Sequence, residues 1–161
     1  MHITFPYTRC QVGIATRDVT PPVGIYSRTW GAATHETAEG VHRPFKATAA
    51  VFAPLEGEGP QLALIAVDLG WFQYSQDERD LRDAVIKAAG LDEASVVINM
   101  SHTHAGANVN SMLEDKPGSE LVKPYLASLT QNIVDAVKEA QASLEPAWVT
   151  FGYGRCTLAT N

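Results

Sequence analysis

Apolar and small residues alternate through "CQVGIATRDVT" until Pro21 and Pro22 end any ladder, which predicts a first strand around Val12 and Ile14. From about Gly24 to Arg43 no period is sustained, and the glycines, Tyr26, Trp30, His35 and His42 found there mark a long loop of the kind that usually carries function. "FKATAAVFAPL" and "QLALIAVDLG" then read as two strands joined across the turn "GEGP" as a hairpin. The near-continuous apolar run of the second predicts burial on both faces. "SQDERDLRDAVIKAAG" predicts a helix of about 13 residues, with Ser75 as N-cap, Asp77 and Glu78 in the first turn, Gly90 as the stop and Leu81, Val85 and Ala88 as its apolar stripe. "ASVVINMSH" is apolar almost throughout and reads as a central strand. After the irregular "AGANVNSMLEDKPGS", a long helix is predicted from about Ser119 to Ser143, its core face carried by Leu121, Tyr125, Leu129, Ile133, Val137 and Ala140. "PAWVTFGYGRC" reads as a last strand. The order β, loop, ββ, α, β, α, β predicts an α/β fold, a mixed and mostly buried sheet flanked by helices.

Composition narrows the function classes. The chain has 161 residues, enough for one domain, with a formal net charge of −6 and no Lys/Arg cluster, which argues against a nucleic-acid partner. No run approaches the roughly 18 consecutive apolar residues of a membrane span, and "MHITFPYTRCQVG" has neither a basic start nor an apolar core, so a cytoplasmic location is expected. Cys10 and Cys156 form no CxxC and are expected to be reduced packing residues, with a bridge between terminal strands open to them in an oxidising compartment.

The chemistry concentrates in "NMSHTHAGAN". On an extended chain His102 and His104 would project on the same side, roughly 6.5–7 Å apart, where a buried strand gives way to a Gly/Asn segment. Ligands of open α/β sheets bind at such strand ends, and an HxH pair can supply two donors of a catalytic zinc. The alternative is one imidazole hydrogen-bonded in the core and the other exposed. Asp68, in "AVDLG", ends the preceding apolar strand, so a parallel neighbour would bring its carboxylate to the same edge as a metal ligand or a partner for an imidazole; otherwise it caps the turn before Trp71. His42, in "EGVHRPF", follows the long loop and is a candidate for the same rim, against a surface-turn role. His35 is expected to be exposed, and His2 is terminal. Arg17, Arg28 and Arg43 are candidates to hold a substrate carboxylate or phosphate, with at least two of them expected to be solvated loop arginines. Ser101 lacks the GxSxG elbow of a serine hydrolase.

Three stretches together resemble the neutral (non-lysosomal) ceramidase family: "VGIATRDVTPPVG", "GVHRPFKATAAVF" with "LALIAVDLG", and "VVINMSHTHAGAN". Their order and spacing agree with the family over nearly the whole chain. The resemblance implies that His102 is a zinc ligand, His104 a pocket residue close to the metal, and His42 the pocket histidine of the Gly-Val-His element. It implies hydrolysis of an amide bond by a zinc-activated water. The family commonly follows its histidines with Gly-Pro or Ser-Gly-Pro where this chain has "AGANVNS", a departure that bears on pocket shape and substrate. The family's other zinc ligands, another His, a Glu and a Tyr, come from sequence far downstream.

Residues 1–161 are therefore expected to be a single domain or the N-terminal portion of a larger zinc-hydrolase domain, completed by the remaining C-terminal part of the enzyme or by a second subunit. The expected function is a Zn2+-dependent amidohydrolase, with His102 and Asp68 toward the metal and His104 and His42 as catalytic groups, acting on a small-molecule amide or ester. A metal-dependent esterase on the same fold and a non-catalytic binding domain are the alternatives.

Overall fold

A computed structural model describes residues 7–158. Strand β1 spans Tyr7–Asp18, β2 Lys46–Ala53 and β3 Leu62–Val67. Helix α1 spans Ser75–Ala89, β4 Val96–Met100, α2 Val122–Ala142 and β5 Glu145–Thr150. The strands form one five-stranded sheet in the order β4-β3-β2-β1-β5. β2 and β3 are the expected hairpin, β3 and β4 are parallel with α1 as their crossover, and the remaining pairs are antiparallel. The fold is the α/β class that the order of elements predicts, with both helices on one face of the sheet.

That face is lined with small residues. Ala15 on β1, Ala47, Ala49 and Val51 on β2, and Ala63 and Ile65 on β3 are buried beneath α2, whose Tyr125, Leu129, Ile133, Val137 and Ala140 face them as the helical spacing predicts. At Gly13 the helix backbone itself meets the strand, for a Cβ there would collide with the Ala140 carbonyl. The Tyr125 hydroxyl donates to the Val19 carbonyl at 3.0 Å in this core, and burial pushes its phenol pKa up. Tyr125→Phe is expected to cost about 1 kcal/mol, since it leaves that carbonyl unpaired at little change in volume. Chemical denaturation would read this as a lower midpoint with an unchanged slope.

Four expectations are corrected. The run in β3 is not buried on both faces: burial alternates strictly, with Leu62 and Leu64 on the open side. Nor is β4 central, for it forms an edge of the sheet and its parallel partner lies on one side only. Apolar runs marked these strands as sheet, but whether a second layer covers them depends on what packs there. The last strand stops at Thr150 rather than running to Cys156. Helix α1 also begins without a side-chain cap: Ser75 is its first residue and Tyr74 holds the cap position, while Gly90 ends it in the left-handed region as expected.

The uncovered face is graded. Ile14, Ala50, Leu64 and Val97 make an apolar row across four strands. Thr16, Thr48, Ala66 and Asn99 form the next row, with the two threonine hydroxyls 3.0 Å apart. Beyond them Asp18, Lys46, Asp68 and Ser101 mark the polar edge, to which the carboxyl ends of β3 and β4 both point.

Candidate functional site

The site grows from the end of β4. The Ser101 amide makes one more ladder bond to the Val67 carbonyl at 3.0 Å, and then His102 leaves the strand with φ 58°, in the left-handed region. Such a backbone costs on the order of 1 kcal/mol for a residue with a Cβ and is held only where its surroundings over-determine it. They do so here. The Thr103 carbonyl lies so close to Gly70 that a Cβ there would meet it at 2.9 Å, and a Cβ at Gly106 would strike the Phe45 ring at 2.8 Å. The Asn108 amide donates to the Tyr26 carbonyl at 2.9 Å and its side chain to the Arg28 carbonyl at 3.3 Å, tying the segment to the long loop. On the far side the Gln73 amide donates to Val109, and the Ser111 amide to the buried carboxylate of Asp77 at 2.8 Å. Asp77, in the helix's first turn as expected, thus anchors the loop after the histidines.

The histidine rings meet through this turn rather than along an extended strand. Their centres are 5.1 Å apart. Trp71 stacks on His102 with centres 5.2 Å apart and planes at 24°, and stands edge-on to His104 at 5.7 Å. Trp30, from the long loop, lies 5.2 Å from His104. Both imidazoles are exposed between the two indoles. Neither tryptophan was singled out from the sequence; the available signal was Trp71 directly after "DLG" and Trp30 inside an aperiodic loop.

Two imidazoles sharing one tetrahedral zinc have ring centres about 5 Å apart, so the separation of the pair suits a common ion. Among the described residues no third His, Cys, Asp or Glu joins them in a metal-holding cluster. The chain presents part of a donor set. Asp68 is at the expected edge, but one carboxylate oxygen accepts the Lys46 amide at 3.0 Å while its own amide donates to the Lys46 carbonyl at 2.8 Å. It closes the hairpin ladder and lines a shallow cleft of about 150 Å3 with Thr48, Asn99 and Ser101. His42 lines a different cleft, with Arg43, Phe45 and Ala105–Ala107. Asp68 lines its cleft on the open sheet face, and His42 lines the cleft on the loop side of the histidine turn.

The remaining candidates sort by their partners. Arg17 pairs with Glu139, Arg28 with Glu36 at 2.6 Å, and exposed His35 with Glu39 at 2.9 Å. His2 lies outside the described residues. Cys10 and Cys156 are free thiols, and Cys156 is exposed rather than packed. Asp18 closes the turn into the loop: hydrogen bonds from the Thr20 hydroxyl and amide, and the ammonium of Lys46, lower its pKa to about 2. Thr20 in turn accepts the Phe45 amide at 2.8 Å, so this turn supports the cleft at His42.

No protein-family model matches the chain, and no curated protein matches its sequence. The architecture does have counterparts among solved structures. Neutral ceramidase from Pseudomonas aeruginosa matches with a TM-score of 0.67 and 19% identity over 89% of this chain and 23% of that one. A ceramidase complexed with C2 matches with the same score and identity over 89% of this chain and 22% of its own. The chain has a ceramidase-like α/β fold, and it spans under a quarter of the length of the ceramidases it matches.

Proposed function

We propose that this chain is part of a zinc-dependent amidohydrolase resembling neutral ceramidase, to which it contributes His102 and His104. The observation that carries this reading is the pair of exposed imidazoles, 5.1 Å apart at the end of a parallel strand in a ceramidase-like fold. His102 would serve as a metal donor, its ring held by Trp71. His104 would face the scissile carbonyl, where an imidazole N–H can donate to an oxygen that gains charge, or pass a proton to the leaving amine. His42, across the turn, would orient the substrate. A zinc ion held there would supply Lewis acidity to the carbonyl and acidify a bound water. Asp68 would act from outside the pair, by fixing the sheet edge from which the turn departs.

The donors still required would come from the remainder of the polypeptide, and we propose that the same remainder covers the open sheet face. Ile14, Leu64 and Val97 are 62%, 42% and 45% exposed in one row, an apolar strip that a soluble protein normally covers. No helix among the described residues is long and apolar enough to cross a membrane.

Metal analysis of the full-length protein tests the reading, together with a panel of amides and matching esters. About one zinc per molecule is expected, with amide hydrolysis abolished by a chelator and restored by zinc. Ester cleavage alone would favour the esterase reading, and neither zinc nor turnover would leave a binding domain on this fold.

A further inference from the structure

The three arginines singled out from the sequence have different fates. Arg17 and Arg28 are paired with glutamates, whereas Arg43 has no hydrogen-bond or ion-pair partner among the described residues and forms part of a cleft wall. That cleft, of about 230 Å3, opens beside Ala105, the residue that follows His104. Its walls are mainly apolar, with Pro21, Val41 and Phe45, and no carboxylate lines it. Its other polar groups are largely engaged: the Ser27 hydroxyl donates to the Ile25 carbonyl at 3.0 Å, and Thr20 accepts the Phe45 amide. His42 and Arg43 are left to meet a ligand. In a chain of net charge −6, a cleft with an unpaired guanidinium and no acid is a local reversal of sign.

We propose that this cleft is a subsite for a compact, carboxylate-bearing group. Arg43 takes the carboxylate, through the planar pair of N–H donors that matches its two oxygens, and Val41 and Phe45 take a short apolar branch. At about 230 Å3 the cleft has room for a compact group rather than a long chain. Resting on the amidohydrolase reading, the inference makes the substrate a small N-acyl amino acid rather than a neutral long-chain amide. The scissile bond would lie toward His104 and the carboxylate toward Arg43.

The test separates binding from turnover. Calorimetric titration of the full-length protein with 4-methylpentanoate and with 4-methylpentanamide, two probes of one shape, should show the acid bound at least about tenfold more tightly. Arg43→Ala should erase that preference and Arg43→Lys keep part of it, with unchanged far-UV circular dichroism reporting an intact fold. Equal binding of acid and amide, no binding of either, or a preference that survives Arg43→Ala overturns the subsite. Turnover of N-acetyl-leucine against N-acetyl-leucinamide decides the reading beneath it. Selective binding of the acid without cleavage of any amide would keep the subsite and remove the amidohydrolase, while amide cleavage blind to charge would do the reverse.

Discussion

His102→Ala is expected to lower the zinc affinity of the full-length protein by at least about 100-fold, since loss of a mere supporting group around a metal site already costs 10–100-fold and a lost donor costs more. The ring stands exposed against Trp71, and its removal opens no core cavity, so the melting temperature of the metal-free protein should hardly move. His102→Gly sharpens the test. Glycine accepts φ 58° without strain, so this variant should lose the metal equally while gaining a few tenths to about 1 kcal/mol of metal-free stability. His104→Ala should instead reduce turnover more than zinc content. Full zinc retention by His102→Ala would remove the residue from the donor set, and equal loss in both variants would make the pair a two-donor site.

The largest effect on stability is expected at Gly13, where β1 passes beneath α2. Its missing Cβ makes room for the Ala140 carbonyl, where α2 crosses β1 at backbone contact. Gly13→Ala must push the helix off the strand or bend the strand, and overpacking of this kind costs typically 1–3 kcal/mol and more when backbone rather than a side chain stands in the way. A loss of about 3 kcal/mol or more is expected for alanine, and failure to fold for leucine. Gly31→Ala is the control, because nothing lies within 4 Å of the position its Cβ would take. Equal melting temperatures for the two alanine variants would show that α2 does not sit as close to β1 as described.

Much of the fold was legible because its signals are local. Leu129, Ile133 and Val137 recur at helical spacing, and Gly90 stops α1, since both depend on neighbours within one or two turns. The hairpin followed from a Gly/Pro turn between two apolar runs. The histidine pair was also legible, as a dense cluster of ligand-type side chains at a strand end. Its local geometry was not: a left-handed backbone at His102 is imposed by Gly70 and Phe45, contacts that no window of sequence contains.

Edge or centre, and one covered face or two, are likewise properties of what packs against a strand. The composition of "SVVIN" and "LALIAV" established their preference for sheet, while the register placed Leu64 and Val97 in an open row and Ala63 and Ile65 beneath α2. Asp68 was nominated by position, and His42 by position and by the Gly-Val-His resemblance; tertiary contacts then put one on the hairpin amide and the other in a cleft with Arg43. The sequence by itself determined the elements, their order and the residue types able to hold a metal, because hydrophobic period, turn chemistry and donor atoms are written along the chain. The tertiary structure alone decided which arginine stays unpaired, which tryptophan holds which imidazole and which face lies open, because each depends on residues brought together from distant parts of the chain.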